Sequence, residues 1–309
     1  MSIVVICPGR KVDYWIDALK ETDPEVEVLT HEQVRENGSV IYALAWDQPP
    51  GIFSRYPNLR CVSSLGAGAD HLVRDPDIPD QADIVRIIDP RLSDDLFEFS
   101  LAVVMNRLRS LTRYKVKQLE KKWEKKLYNR IEDLSIGIMG TGVIGGHVAE
   151  KLCSLGFSVN GWSRSGDRPG SYCKYAGKEE MEAFLENTDI LICILPLTDS
   201  TKGILNKENL MKLPEKSYLV NLGRGGHLVD NDLIELLDSG HLSGASLDVF
   251  HFEPLPEDHP FWEHPGIDIT PHVASITDPS KVAPQIIENY HRVKKGIRPK
   301  NTVSKEKGY

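Results

Sequence analysis

Cysteine is scarce in this chain and lacks pattern. The five present, Cys7, Cys61, Cys153, Cys173 and Cys193, are odd in number and are nowhere spaced C-x-x-C. That excludes a disulfide-framed scaffold and argues against a zinc centre. No metal is expected, and the thiols read as reduced and mostly buried, as in a cytoplasmic protein. Long apolar runs are missing too. Ile3–Cys7 is too short for a signal peptide, and no stretch approaches the ~20 residues that cross a bilayer, so no membrane partner is expected. A basic surplus is also absent. Lys and Arg number 37 against 45 Asp and Glu, and the net charge of −8 has the wrong sign for a general nucleic-acid binder. A small anionic substrate held by one or two local cations is not excluded.

What is present is β/α alternation over 309 residues, a length that suggests about two domains. Ser2–Cys7, Glu25–Leu29, Val40–Ala45, Arg60–Ser63 and Ile84–Ile88 read as strands, with a helix at Val12–Lys20. This is the pattern of an open parallel sheet covered by helices. Leu65-Gly66-Ala67-Gly68 follows one of these strands and reads either as a simple turn or as a ligand loop. After Asp89-Pro90, Ser93 with Asp94 and Asp95 makes a helix cap, and a long helix is expected from Leu96. Its apolar stripe continues sparsely through Leu119 and Trp123. The lysines at 121, 122, 125 and 126 alternate with Glu120 and Glu124 and read as a solvated helix face. A last helix is capped by Asp278 with Pro279 at its first position. The expected division is residues 99–277 as one lobe and residues 1–98 with 278–309 as the other.

The centre of the chain is Leu134–Arg164. Ser135–Met139 reads as a buried strand, Gly140-Thr141-Gly142-Val143-Ile144-Gly145 follows at once, and Ile144, Val148 and Leu152 recur at a helical spacing of four. Ser158–Trp162 completes a βαβ unit. In that setting Gly140 permits the turn, Gly142 admits a pyrophosphate to the backbone, and Gly145 lets helix and strand pack closely; the helix N-terminus then faces the anion. The second strand of an NAD-preferring site usually ends in Asp or Glu. Here it runs into Ser163-Arg164-Ser165, and the nearest acid, Asp167, lies further along. An arginine between two hydroxyls suits a 2′-phosphate, so NADPH is favoured over NADH.

Three later strands each lead to a functional side chain. Tyr218–Leu222 runs to Gly223-Arg224, Gly244–Leu247 through Asp248 to Glu253, and Ile267–Thr270 to His272. Singly each has a bland explanation: a surface cation, a loop carboxylate, a histidine beside a helix cap. Strand ends of an open α/β sheet line its ligand crevice, however, so the three can converge. Hydride delivery to a 2-keto acid builds negative charge on the carbonyl oxygen and requires a proton there. Histidine can supply it, a carboxylate on its other ring nitrogen favours the imidazolium, and an arginine fork can hold the substrate carboxylate.

Taken together, the chain resembles the D-2-hydroxyacid dehydrogenase family along essentially its whole length. The resemblance is carried by Val62-Ser63-Ser64-Leu65-Gly66-Ala67-Gly68-Ala69-Asp70, Ile138–Gly145, Asn221-Leu222-Gly223-Arg224-Gly225, Leu247-Asp248-Val249-Phe250 with Glu253-Pro254-Leu255-Pro256, and Thr270-Pro271-His272-Val273-Ala274. It implies two Rossmann-like α/β lobes, doubly wound parallel sheets with a cleft between them, and a homodimer formed through the cofactor lobe. It implies Arg224 as substrate binder, His272 as proton donor and Glu253 as its partner. Backbone amides of Leu65, Gly66, Ala67 and Gly68 would cradle the substrate carboxylate, with Trp46 as an aromatic neighbour. The cofactor would be lined by Gly140, Gly142, Val143, Ile144, Gly145, Ser163, Arg164, Ser165, Leu195, Pro196, Leu222, Gly223, Asp248 and Ala274, with Asp248 near the nicotinamide carboxamide. The implied activity is NADPH-dependent reduction of small 2-keto acids, glyoxylate and hydroxypyruvate first. The alternatives are a reductase of bulkier acids such as phenylpyruvate, or a dinucleotide-sensing regulator on the same scaffold.

Overall fold

The computed structural model describes residues 1–166 and 169–304. They divide into two compact units, residues 1–90 with those from 276 onward, and Arg91–Ser275. None of the described helices is long and apolar enough to cross a membrane.

In the first unit β1 (Ser2–Ile6), α1 (Asp13–Thr22), β2 (Glu27–Thr30), β3 (Val40–Ala45), β4 (Cys61–Ser64), α2 (Asp70–Val73) and β5 (Asp83–Val85) form a five-stranded sheet of order β2-β1-β3-β4-β5 with its helices. The four pairings among these strands are parallel. Both β1 and β3 are buried throughout, which is why they read as unbroken apolar runs rather than as alternation. The C-terminal helix Pro279–Lys294 returns to this unit. Asp278 caps it by accepting from the Ser280 N–H (2.9 Å). Further along, the Tyr290 hydroxyl donates to the Met1 carbonyl (2.6 Å) and His291 pairs with Asp23 (2.7 Å).

The chain passes into the second unit at the first residue of α3 (Pro90–Arg109), which α4 (Leu111–Leu119) follows. The expected cap at Ser93 is a correction: the helix starts at Pro90, whose missing N–H and fixed φ suit a first helical position, and Ser93 lies buried inside it. Nor is the helix continuous through Trp123. Ser110 is left-handed (φ 54°), and Asn106 takes the Thr112 N–H (3.0 Å) to begin α4 anew. Residues 122–130 carry no regular structure, so the lysine cluster is exposed, though not on a helix. Because Leu96, Val104 and Leu108 of α3 pack with Ile136 and Val148, the unit boundary falls ahead of residue 99.

There follow β6 (Ser135–Met139), α5 (Val143–Ser154), β7 (Ser158–Ser163), β8 (Cys173–Ala176), α6 (Met181–Glu186), β9 (Ile190–Cys193), α7 (Lys207–Leu210), β10 (Ser217–Asn221), α8 (Asp230–Asp238), β11 (Leu242–Leu247) and β12 (Ile267–Ile269). The sheet order is β12-β11-β10-β9-β6-β7-β8, again with every pairing parallel. Successive residues face opposite layers, as a strand's period of two demands. Leu191 and Leu219 join one core with Phe184 and Leu233, while Ile192 and Val220 join the other with Val148 and Leu152. Chain order reverses between β6 and β9, the topological switch point at which open α/β sheets bind ligands.

Candidate active site

The glycine loop leaves β6 at that switch point. Gly140 has φ 112°, a region side chains avoid, and a Cβ there would stand 3.0 Å from the Ile194–Leu195 peptide. Leu195 and Pro196, at the exit of β9, are thereby brought to the loop. The N–H groups of Gly140 and Thr141 donate to the Trp162 carbonyl (2.8 and 3.3 Å), tying the loop to the end of β7. A side chain on Gly145 would land on the Gly140 carbonyl oxygen, so that glycine is required by the packing of α5 on β6. Gly142 differs. Its φ of −68° suits any residue, and beyond its own chain neighbours no atom of the described residues lies within 4 Å of where a Cβ would go.

Among the described residues nothing requires glycine at 142, and the open space over it is what an approaching pyrophosphate needs. No side chain caps α5 at Gly142, so the first-turn N–H groups at Val143 and Ile144 point outward at the positive end of the helix dipole. A dinucleotide fits these residues. Past β7, Arg164 and Ser165 are exposed, and the Ser163 hydroxyl accepts from the Gly166 N–H (3.1 Å). Asp167 lies outside the described residues.

Arg224, Glu253 and His272 meet at the same end of the sheet. Asn221 closes β10, and Leu222-Gly223-Arg224 follows. A Cβ on Gly225 would fall inside the Phe250–His251 peptide, so the Arg224 loop lies directly against the loop leaving β11. In that second loop the Phe250 N–H donates to Glu253 Oε1 (3.0 Å). The other carboxylate oxygen, Oε2, receives His272 Nδ1 at 2.7 Å. Both side chains remain partly open, 29% for His272 and 25% for Glu253. Burial pushes the Glu253 carboxyl up, but the His272 hydrogen bond and charge, the Phe250 N–H and the Arg224 charge outweigh it and hold the group below its ordinary value. The Arg224 charge thus acts on Glu253 across the two abutting loops.

Asp248 is 1% exposed and accepts three hydrogen bonds, from Thr270 Oγ1 (2.6 Å), the Val273 N–H (2.9 Å) and the Ala274 N–H (2.9 Å). The turn carrying His272 is thus wrapped around this carboxylate, and His272 sits in it at φ 55°. Sequence reasoning placed Asp248 beside a cofactor and missed this internal duty. It also missed His227 and Asn221, which contact the Arg224 backbone. Their residue types carry no signal for such a role, although His227 follows the arginine by only three positions.

Within the first unit, the loop Leu65–Gly68 and Trp46 are neighbours. A Cβ on Gly66 would stand 3.3 Å from the Trp46 ring, and that ring tilts against His71 with centroids 4.7 Å apart. The Gly66 N–H donates to Ser64 Oγ (3.1 Å), so one of the four amides expected to meet a carboxylate already has an acceptor in the protein.

Residues 101–274 match the family model described as D-isomer specific 2-hydroxyacid dehydrogenase, NAD binding domain. Similar solved structures extend this to the full chain. A D-isomer specific 2-hydroxyacid dehydrogenase from Xanthobacter autotrophicus Py2, in complex with NADPH and MES, is 34% identical over 100% of this chain and 99% of its own, with a TM-score of 0.92. The NADPH-dependent glyoxylate/hydroxypyruvate reductase of Sinorhizobium meliloti, in complex with NADP and sulfate, is 35% identical over 100% of both chains (TM-score 0.91). A D-isomer specific 2-hydroxyacid dehydrogenase family protein from Klebsiella pneumoniae 342 is 38% identical over 99% of this chain and 98% of its own (TM-score 0.91). This chain belongs to the D-isomer specific 2-hydroxyacid dehydrogenase family and is an NAD(P)H-dependent 2-hydroxyacid dehydrogenase.

Proposed function

We propose that the protein reduces small 2-keto acids, glyoxylate and hydroxypyruvate first, and prefers NADPH. The observation that carries this reading is the His272–Glu253 couple at 2.7 Å, standing on a loop that abuts the loop of Arg224. The 35% identity to a glyoxylate/hydroxypyruvate reductase supports the substrate class. Arg164 between Ser163 and Ser165, with no carboxylate among residues 163–166, supports the cofactor preference.

When bound, the reduced nicotinamide supplies the hydride. Arg224 holds the substrate carboxylate in its fork, and its fixed charge draws electron density toward the carbonyl oxygen. Glu253 occupies Nδ1 of His272, which directs proton delivery to Nε2. From there His272 protonates the oxygen as charge develops on it. For the first unit, the reading assigns the Leu65–Gly68 loop to the substrate carboxylate and Trp46 to the substrate's flank.

Absorbance at 340 nm tests this with NADPH and NADH in parallel, each against glyoxylate, hydroxypyruvate, pyruvate and phenylpyruvate. The expected result is fastest oxidation of NADPH with the first two acids. A higher kcat/KM for phenylpyruvate would move the substrate class to bulkier acids. Equal use of NADH would remove the role given to Arg164. Cofactor binding with no oxidation under any condition would overturn the reading.

The same reading includes a homodimer. Leu119, Trp123 and Leu127 are 75%, 94% and 96% exposed, an apolar surface of the kind that marks an interaction site. We place a second copy of the chain on it. Light scattering should return twice the chain mass for the wild type and the single mass for Leu119→Asp combined with Trp123→Asp. A monomeric wild type at micromolar concentration would withdraw the dimer.

A further inference from the structure

We propose that His227 is a positioning residue for substrate binding, acting by fixing the plane of the Gly223–Arg224 peptide. The inference rests on the reading of Arg224 as the ligand of the substrate carboxylate. One peptide unit links the two residues. Its N–H, that of Arg224, donates to His227 Nδ1 at 3.1 Å. Its carbonyl, that of Gly223, accepts from Arg224 Nη1 at 2.7 Å. The guanidinium is therefore anchored to the carbonyl of the very peptide whose opposite side the imidazole grips. Turning that peptide about its long axis breaks both bonds together and carries the arginine head away.

The rest of the loop fits this role. Gly223 is the hinge at which such a turn is sterically cheapest, because glycine resists rotation least. It can only be glycine: a Cβ there would stand 2.9 Å from His227 Cε1 and 3.0 Å from the Leu195 carbonyl oxygen. Asn221, fully buried, holds the peptides on either side, accepting from the Gly223 N–H (3.2 Å) and donating to the Arg224 carbonyl (3.0 Å). His227 grips the intervening N–H. It is fully buried, and its own N–H returns to the Arg224 carbonyl (3.2 Å). An imidazole that accepts at Nδ1 carries its proton on Nε2 and is neutral in this pose.

Steady-state kinetics of His227→Asn, His227→Gln and His227→Leu test the inference. The oxygen of Asn stands the same number of bonds from Cβ as Nδ1 does, whereas that of Gln stands one further. His227→Leu and His227→Gln should each lower kcat/KM for glyoxylate by about 10–100-fold, the scale of a displacement of about an ångström at a reacting group. His227→Asn should stay within a few-fold of wild type, and the KM for NADPH should be unchanged in all three. Should His227→Leu fail to fold, the Asn and Gln pair decides the matter. Rescue by Gln equal to that by Asn would overturn the inference, as would a wild-type kcat/KM in His227→Leu. Arg224→Ala separates the two levels. If it leaves the KM for glyoxylate unchanged, the reading of Arg224 fails and takes this inference with it. If it raises that KM while the His227 variants behave as wild type, only the inference fails.

Discussion

Replacing His272 with alanine is expected to lower kcat for glyoxylate reduction by about 10²–10⁴-fold, the usual worth of a positioned general acid, with the KM for NADPH kept within a few-fold. The split follows from position. His272 reaches its place from the end of β12 and bonds to Glu253, while the glycine loop leaves β6, two strands beyond β10. On the proposed mechanism, removing the imidazole takes away the proton source without touching Gly140, Gly142 or the start of α5. Unchanged turnover in this variant would exclude His272 from the chemistry.

The partner gives the same couple a pH signature. Glu253 is held below its ordinary value near 4.5, so its contribution to stability is complete above that value and is lost as pH falls through the depressed one. The difference in Tm between wild type and Glu253→Gln should therefore be full at neutral pH and shrink once the pH drops below about 4.5. A difference independent of pH from 7 to 3 would show that the carboxylate charge does not stabilise the fold.

Much of this architecture was legible because burial on both faces leaves a plain trace. Val40–Ala45 is apolar at every position and became β3 with those bounds; the central βαβ unit announced itself through its glycines. Strand β8 did not. Cys173-Lys174-Tyr175-Ala176 lies at the sheet edge with its first two residues exposed, so only the pairing with β7 defines it. The long helix was misjudged for a related reason. A sparse stripe from Leu111 to Trp123 looks the same whether the backbone runs on or breaks, and the left-handed turn at Ser110 leaves no mark in a hydrophobic pattern. At the site, Arg224, Glu253 and His272 could be picked out because each follows an apolar run. The groups that hold them could not, since Asp248 and His227 act on backbone N–H groups, and an N–H is present at almost every residue.

Asp248 makes that hidden layer testable. Its carboxylate accepts from Thr270 Oγ1, Val273 N and Ala274 N, donors on both sides of His272, and His272 itself occupies a φ of 55° that a β-carbon disfavours. The left-handed turn persists because the carboxylate rewards it with bonds that an extended backbone would not make. Asp248→Asn preserves shape yet replaces one acceptor oxygen with a donor. If the remaining oxygen keeps Thr270 and Val273, the new NH₂ faces the Ala274 N–H, and one buried donor loses its partner. Such a loss costs about 1–3 kcal/mol, to be read as a fall in unfolding free energy. It also lets the turn relax, and kcat should drop by about 100-fold, the penalty of misplacing a catalytic group by about an ångström. The KM for NADPH separates this account from a direct cofactor contact. If Asp248 serves the turn, kcat and stability fall while that KM holds. A variant of wild-type stability whose main defect is a raised KM for NADPH would return Asp248 to the cofactor and leave the left-handed histidine to be held by other means.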